Sequence, residues 1–153
     1  MLDRLKPLLL PACESGRLRV RVELAGDLPA IPVEATSLRH AFLNCVLNAI
    51  EAMESRGGGT LTVSTRTTEM RSDDDGGSRP AVRVSFRDTG PGIEESDRRR
   101  IFTPFYSTKR DGHGLGLALV HRTVTAHGGR LHLHSRPDVG TEFVIVLPAE
   151  GDA

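Results

Sequence analysis

The sequence predicts an α+β two-layer sandwich, a mixed and mostly antiparallel sheet covered on one face by about three helices. Three observations predict it. Apolar residues alternate with polar ones in several short runs, as in half-buried strands. One longer segment carries an apolar stripe at spacings of three and four. Turn residues separate the runs closely enough for hairpins, which favours antiparallel pairing.

Residues 2–14 read as a short helix or an extended lead-in, because Pro7 and Pro11 oppose a long regular helix. Val20, Val22 and Leu24 alternate with Arg19, Arg21 and Glu23 to give a first strand. Gly26-Asp27 is a turn, and Ile31 to Val33 is expected to add a short strand. Thr36 or Ser37 caps a helix running to about Ser55, with Leu38, Ala41, Phe42, Cys45, Ala49 and Ala52 on its apolar stripe. Gly57-Gly58-Gly59 ends it. Leu61 and Val63 open a strand whose partner holds Val82, Val84 and Phe86, with an exposed loop from Arg71 to Pro80 between them. Glu94 to Ile101 suggests a short helix. The glycine-rich stretch from Phe102 to Gly116 follows, and a lid at about Thr103 to Gly114 within it is expected to order poorly without its ligand. Leu115, Leu119 and Val120 restart a helix that ends at Gly128-Gly129. Leu131 and Leu133 mark one last strand, and Phe143, Ile145 and Leu147 the other.

The bulk composition narrows the function. At 153 residues the chain suits one domain with a real core. Its formal charge is zero, so no overall field draws it to nucleic acid or anionic lipid, and a polyanion must be held by a local site. Cys13 and Cys45 form neither a disulfide framework nor a metal-binding pair; a buried free thiol at Cys45 and a reducing cytoplasm fit them. The start has no signal-peptide layout, and Leu8-Leu9-Leu10 is far too short to span a bilayer. A membrane anchor elsewhere in a longer parent chain stays open. Only Lys6 and Lys109 are lysines, so a lysine inside a motif stands out against an arginine background.

Three constellations carry chemistry. Asn44 and Asn48 lie four apart on one face of the first helix, continued by Glu51 and Ser55. Amide oxygens are hard ligands suited to Mg²⁺, although an isolated Asn pair is equally a solvated helix face. Asp88-Thr89-Gly90-Pro91-Gly92-Ile93 follows the strand ending at Phe86. A half-buried aspartate at a strand end can accept a hydrogen bond from adenine's amine. Guanine would set a carbonyl against it, at a cost of ~1–3 kcal/mol for the unpaired acceptors. Gly90 and Gly92 would let the backbone approach a flat base, while the same residues also make a plain turn. Gly112-His113-Gly114-Leu115-Gly116-Leu117 opens a helix, where amides freed of side chains suit phosphate. Thr108 and Lys109 stand just upstream, with an ammonium for a terminal phosphate. The spacing is neither the dinucleotide-binding GxGxxG nor a P-loop.

In this order the motifs resemble the catalytic domain of bacterial sensor histidine kinases, within the Bergerat-type ATP-binding fold shared with gyrase-type, Hsp90 and MutL-type ATPases. Leu43 to Ala52 resembles the asparagine box and Asp88 to Ile93 the first glycine box. Ile101 to Lys109 resembles the phenylalanine box, and Gly112 to Leu117 the second glycine box. His127-Gly128-Gly129 with Gly140-Thr141-Glu142-Phe143 resembles the closing hairpin. The short lid with its Thr-Lys pair looks like the nitrogen-regulator-type kinases. The resemblance implies a lead-in from a missing upstream domain at residues 1–14, an ATP-binding catalytic domain at 15–149 and a tail at 150–153.

It also implies roles. Asn48 would be the Mg²⁺ ligand, with Asn44 beside the phosphates and Lys109 gripping them. Asp88 would read adenine, with Gly90, Gly92 and Ile93 around the base, and Thr141 would belong to the nucleotide site. The amides around Gly114 and Gly116 would hold the phosphates under a mobile lid, and Thr108, Gly112, His113, Leu115 and Leu117 would belong to the same nucleotide site. Gyrase-like members carry a water-activating glutamate where this chain has Asn44, so transfer to a supplied nucleophile is favoured over hydrolysis. The acceptor histidine is typically followed at once by an acidic residue, and none of the six histidines is. The implied partners are ATP or ADP, a histidine-bearing dimerisation domain of the same parent protein and a response-regulator receiver domain. Nucleic acid and direct membrane contact are not among them. An anti-sigma-factor-type serine kinase and a degenerate nucleotide-binding interaction module stay open as alternatives.

Overall fold

The computed structural model describes residues 16–71, 76–107 and 113–150. Along them run β1 (Leu18–Glu23), α1 (Ala35–Glu54), β2 (Gly59–Arg71), β3 (Ser78–Asp88), a 3₁₀ turn (Arg100–Phe102), α2 (Gly116–Ala126), β4 (Arg130–Arg136) and β5 (Gly140–Pro148). The strands form one sheet in the order β1-β2-β3-β5-β4. Only β1 against β2 is parallel; the other pairings are antiparallel. This is the mixed, mostly antiparallel sheet and two-layer class that the alternation predicts.

The inward residues of each strand meet the apolar stripes of the helices. Leu61, Val63, Val82, Val84, Phe86, Phe143, Ile145 and Leu147 share one core with Leu38, Phe42, Cys45, Val46, Met53, Val120 and Val124. Phe42 tilts onto Phe86 with ring centroids 5.5 Å apart, which pins α1 over the sheet centre. Cys45 is fully buried there as a free thiol, and loss of water pushes its pKa up to about 12. It is a packing residue, as the sequence suggested; Cys13 lies outside the described residues. The outward face is polar. On it Arg83 pairs with Glu142 at 2.9 Å and the Ser85 hydroxyl donates to the same carboxylate. Burial acts to raise the Glu142 pKa, but Ser85, Arg83 and nearby His134 outweigh it and hold the group below its ordinary value.

Several local expectations are corrected. The segment Glu94 to Ile101 is a series of turns ending in the 3₁₀ turn, not a third helix. Between Ile93 and Ile101 it has no apolar residue to bury, and side-chain bonds shape it instead. Ile31 to Val33 is not a strand. Pro29 and Pro32 remove donors there, and the nearby Ala30 carbonyl accepts the Glu150 amide at 2.9 Å. Neither Thr36 nor Ser37 caps α1. The Glu34 carboxylate does, accepting the Thr36 amide at 2.9 Å and the Ser37 amide at 2.7 Å, with the Ser37 hydroxyl as a third donor. The Ser37 hydroxyl and these amides hold Glu34 down to a pKa of about 2. The loop expected from Arg71 to Pro80 is shorter than predicted, because β2 and β3 stay paired out to Arg71 and Ser78.

A single histidine joins the helices. His127 Nε2 accepts the Glu34 amide at 3.0 Å, while Nδ1 lies 2.7 Å from the Thr123 carbonyl. These partners require the proton on Nδ1. The start of α1 is thereby tied to the end of α2.

The core makes a direct stability prediction. Phe86→Ala should cost about 3–5 kcal/mol, since the ring is fully enclosed and its cavity cannot collapse. Denaturant unfolding of parent and variant measures it, and a loss under about 1 kcal/mol would contradict this packing.

Candidate functional site

A cavity of about 500 Å³ opens between α1 and the ends of β3 and β5. One turn of α1 after another contributes Asn48, Glu51, Ala52 and Ser55 to its wall. Asp88 and Thr141 come from adjacent strands, where they are register partners. Pro91, Gly92, Ile93, Glu94 and Asp97 come from the segment after β3; Ile101, Leu117 and Phe143 add apolar wall. The lining is divided: an aliphatic and aromatic slot suited to a flat ring, and a rim of carboxylates and amides. Among the described lining residues there is no cation.

Asp88 is the most constrained polar group in it. Only 5% of the residue is exposed. Its Oδ1 accepts the Gly90 amide at 2.8 Å, and the Thr141 amide also bonds the carboxylate. Desolvation raises its pKa, and the two amides counter part of that rise. A buried carboxylate with spare acceptor capacity, beside an apolar slot, can accept a further N–H.

The glycines here serve the protein's own packing. Gly92 has φ +75°, and a Cβ would lie 2.2 Å from the Arg136 carbonyl oxygen. A Cβ on Gly140 would lie 2.1 Å from the Asp88 carbonyl oxygen. On Gly90 it would meet Asp88 Oδ1 at 2.9 Å and Ala52. Their smallness brings β3, α1 and the β4–β5 turn into contact behind the cavity.

Side-chain bonds complete the clamp. Arg98 reaches the Ser135 carbonyl at 2.7 Å, and the Ile93 amide donates to Ser135 Oγ at 2.8 Å. Arg56 pairs with Asp138 at 2.7 Å, joining the end of α1 to the β4–β5 turn. Tyr106 donates its hydroxyl to Asp97 at 2.6 Å, and the Arg100 guanidinium stacks 4.4 Å from its ring centroid.

The remaining motif residues fall in three places. Asn48, Gly92, Ile93, Leu117 and Thr141 line the cavity with Asp88, and Gly90 is buried behind it. Asn44 does not line it: its Nδ2 donates to the His40 carbonyl at 2.9 Å, and its Oδ1 lies where a Cβ on Gly116 would be 2.9 Å away. Gly116 starts α2, and no side chain caps that helix at Leu115, so Asn44 faces uncapped first-turn amides. His113 and Leu115 are exposed and Gly114 is half-buried, its carbonyl accepting the Phe105 amide at 3.0 Å. Thr108, Lys109 and Gly112 lie outside the described residues. Asp97, Ser135 and Phe143 escaped the sequence reading; Phe143 lay in a recognised motif, whereas Ser135 is one hydroxyl in a plain strand with nothing local to flag it.

Residues 33–151 match the family model of histidine kinase-, DNA gyrase B-, and HSP90-like ATPases, and the chain belongs to that family. Sensor histidine kinase ZraS of Escherichia coli K12 is 34% identical over 134 residues, covering 88% of this chain and 26% of the relative. Sporulation kinase E of Bacillus subtilis is 31% identical over 138 residues, covering 90% of this chain and 17% of its own length. The chain thus spans about a quarter or less of these curated relatives. Among solved structures, full-length ShkA in complex with AMPPNP superposes with a TM-score of 0.78 at 32% identity, over 99% of this chain and 30% of that one. The nucleotide-free catalytic domain of histidine kinase ThkA gives 0.77 at 26% identity, over 95% and 88%.

The tight backbone behind the cavity is testable without any ligand. Gly92→Ala should destabilise the fold by at least ~1 kcal/mol, combining a left-handed φ with a backbone clash. Thermal unfolding reads this out; an unchanged melting temperature would mean that the Gly92–Arg136 contact is not as close as described.

Proposed function

We propose that this chain is the ATP-binding catalytic domain of a two-component sensor histidine kinase. It binds Mg–ATP in the cavity and presents the γ-phosphate to a histidine on a helical dimerisation domain of the same parent protein, outside this sequence. A response regulator's aspartate then receives the phosphate. The observation that carries the reading is the buried Asp88 carboxylate at the end of an apolar slot. Family membership and the likeness to an AMPPNP-bound histidine kinase support it.

Each group has a task that its surroundings suit. Asp88 accepts the exocyclic amine of adenine and penalises guanine's carbonyl by ~1–3 kcal/mol. Ile93, Leu117 and Phe143 give the base apolar contact. The uncapped amides at the start of α2, with Lys109 from the neighbouring segment, take the phosphates. The donor set fits magnesium: Asn48 supplies a hard amide oxygen, Glu51 adds a carboxylate one turn on, and the rim is acidic with no described cation. No described group of three or more His, Cys, Asp or Glu is placed to hold a metal unaided. That suits an ion which takes its remaining ligands from phosphates and water. When bound, the ion would neutralise charge on the transferring phosphate. No helix among the described residues is long and apolar enough to cross a membrane.

Asp88→Asn separates binding from stability. Because burial raises the Asp88 pKa, the folded state keeps its proton to higher pH than the unfolded chain does. That contribution favours folding below the unfolded pKa and is lost as pH rises through the folded value. At neutral pH the ionised group therefore opposes folding. The variant should lose about tenfold or more in ATP affinity by calorimetry while its ligand-free melting temperature holds or rises. Equal ATP affinity in parent and variant would overturn the base assignment. ATP affinity of the parent should also weaken as pH falls through the raised pKa.

The reaction is tested by mixing. Alone, the chain should bind ATP or ADP and label itself little with γ-labelled ATP. Adding a helical hairpin that carries an acceptor histidine should give acid-labile label on the hairpin. Strong acid-labile labelling of the chain itself, or label found only on serine of an added partner, would contradict the proposal.

A further inference from the structure

We infer that Ser135 on β4 is a positioning residue for the base pocket, fixing Thr141 as a hydrogen-bond donor toward the nucleotide; this rests on the ATP-binding reading above. Asp88, Thr141 and Ser135 are consecutive register partners across β3, β5 and β4, so they form one row on the cavity side of the sheet. Asp88 and Thr141 line the cavity and Ser135 stands behind them. Thr141 is 6% exposed, so its hydroxyl has few choices of partner.

A serine hydroxyl has one proton to give and two lone pairs to receive. Ser135 Oγ accepts the Ile93 amide at 2.8 Å, which occupies one lone pair. Its proton then goes either to the Gly140 carbonyl at 3.1 Å or to Thr141 Oγ1 at 2.9 Å. The choice sets the polarity of Thr141. If Gly140 takes the proton, Thr141 must donate back to Ser135, and only its lone pairs face the cavity. If Thr141 takes it, the Thr141 proton is released toward the cavity.

Adenine decides between the two. Its amine is a donor and the adjacent ring nitrogen N1 an acceptor, so the pocket must offer an acceptor and a donor side by side. Asp88 is the acceptor. Thr141 supplies the donor, by direct contact with N1, only while Ser135 donates to it. The reverse polarity would set two acceptors against that edge and leave one unpaired. Guanine presents the opposite order, a carbonyl beside an N–H, so the same pair rejects it twice. Arg98 holds the Ser135 carbonyl independently, so losing the hydroxyl leaves the main chain of β4 clamped.

The test is a double-mutant cycle on ADP affinity by calorimetry. Ser135→Ala should weaken ADP binding about five- to tenfold, and Ser135→Thr, which keeps the hydroxyl, should match the parent. In a Thr141→Val background the alanine change should cost less than about twofold. The penalty should likewise shrink to under about twofold with 1-deaza-ADP, in which N1 is a C–H. If the alanine variant melts below assay temperature, Ser135→Cys keeps the bulk, weakens the donor and gives the same comparison. Equal penalties in both backgrounds, or for both nucleotides, would reduce Ser135 to a prop for Ile93 and overturn the inference. A parent chain that binds no ADP would instead remove the ATP-binding reading itself.

Discussion

Burying a carboxylate at the end of a central strand is the constraint around which this molecule is arranged. Ionised Asp88 loses nearly all its water, and it stays tolerable because the Gly90 and Thr141 amides bond it. Those amides are available only because the backbone turns at once after β3 and because β5 pairs alongside. Both conditions depend on close approach. Gly90, Gly92 and Gly140 carry no side chain where α1, the Arg136 carbonyl and the Asp88 carbonyl press in. Larger residues would move the walls that hold the acceptor in place.

The rest of the fold can be read as support for that point. The core of α1 against β2, β3 and β5 fixes the helix face that carries Asn48 and Glu51. His127 ties the two helices, and Arg56 with Asp138 ties the end of α1 to the β4–β5 turn. Arg98 and Ser135 hold the segment after β3 against β4. A site whose walls come from so many separate elements needs such cross-ties to keep its geometry before a ligand arrives. Leu115 gives the first turn of α2 no side-chain cap, and Asn44 Oδ1 stands beside Gly116 at its start.

Much of this was legible in the sequence because burial imposes periodicity. The alternation at Val82, Val84 and Phe86 and at Phe143, Ile145 and Leu147 marked the two central strands, and the α1 stripe named most of its buried residues. Legibility ended where side-chain bonds, not burial, set the backbone. Glu94 to Ile101 looked helical by composition, yet Arg98, Tyr106 and Asp97 shape it into turns. Glu34 displaced Thr36 and Ser37 as the cap because a carboxylate can accept two amides at once. Ile31 and Val33 were apolar enough for a strand, but the prolines around them left too few donors for a ladder. Of the motif residues, Asn48, Asp88, Ile93, Leu117 and Thr141 share one cavity, while Asn44 packs at the start of α2. Ser135 could not have been seen, since the Ile93 amide and the Arg98 guanidinium that meet it come from a segment 42 and 37 residues away.

The central claim concerns where a nucleotide base sits and what it touches. A crystal structure with magnesium and AMPPNP bound tests it most directly. The adenine should lie between Ile93 and Leu117, its amine within hydrogen-bond distance of Asp88, and the metal should sit on Asn48. A base seated elsewhere, with the Asp88 carboxylate meeting only Gly90 and Thr141, would contradict it.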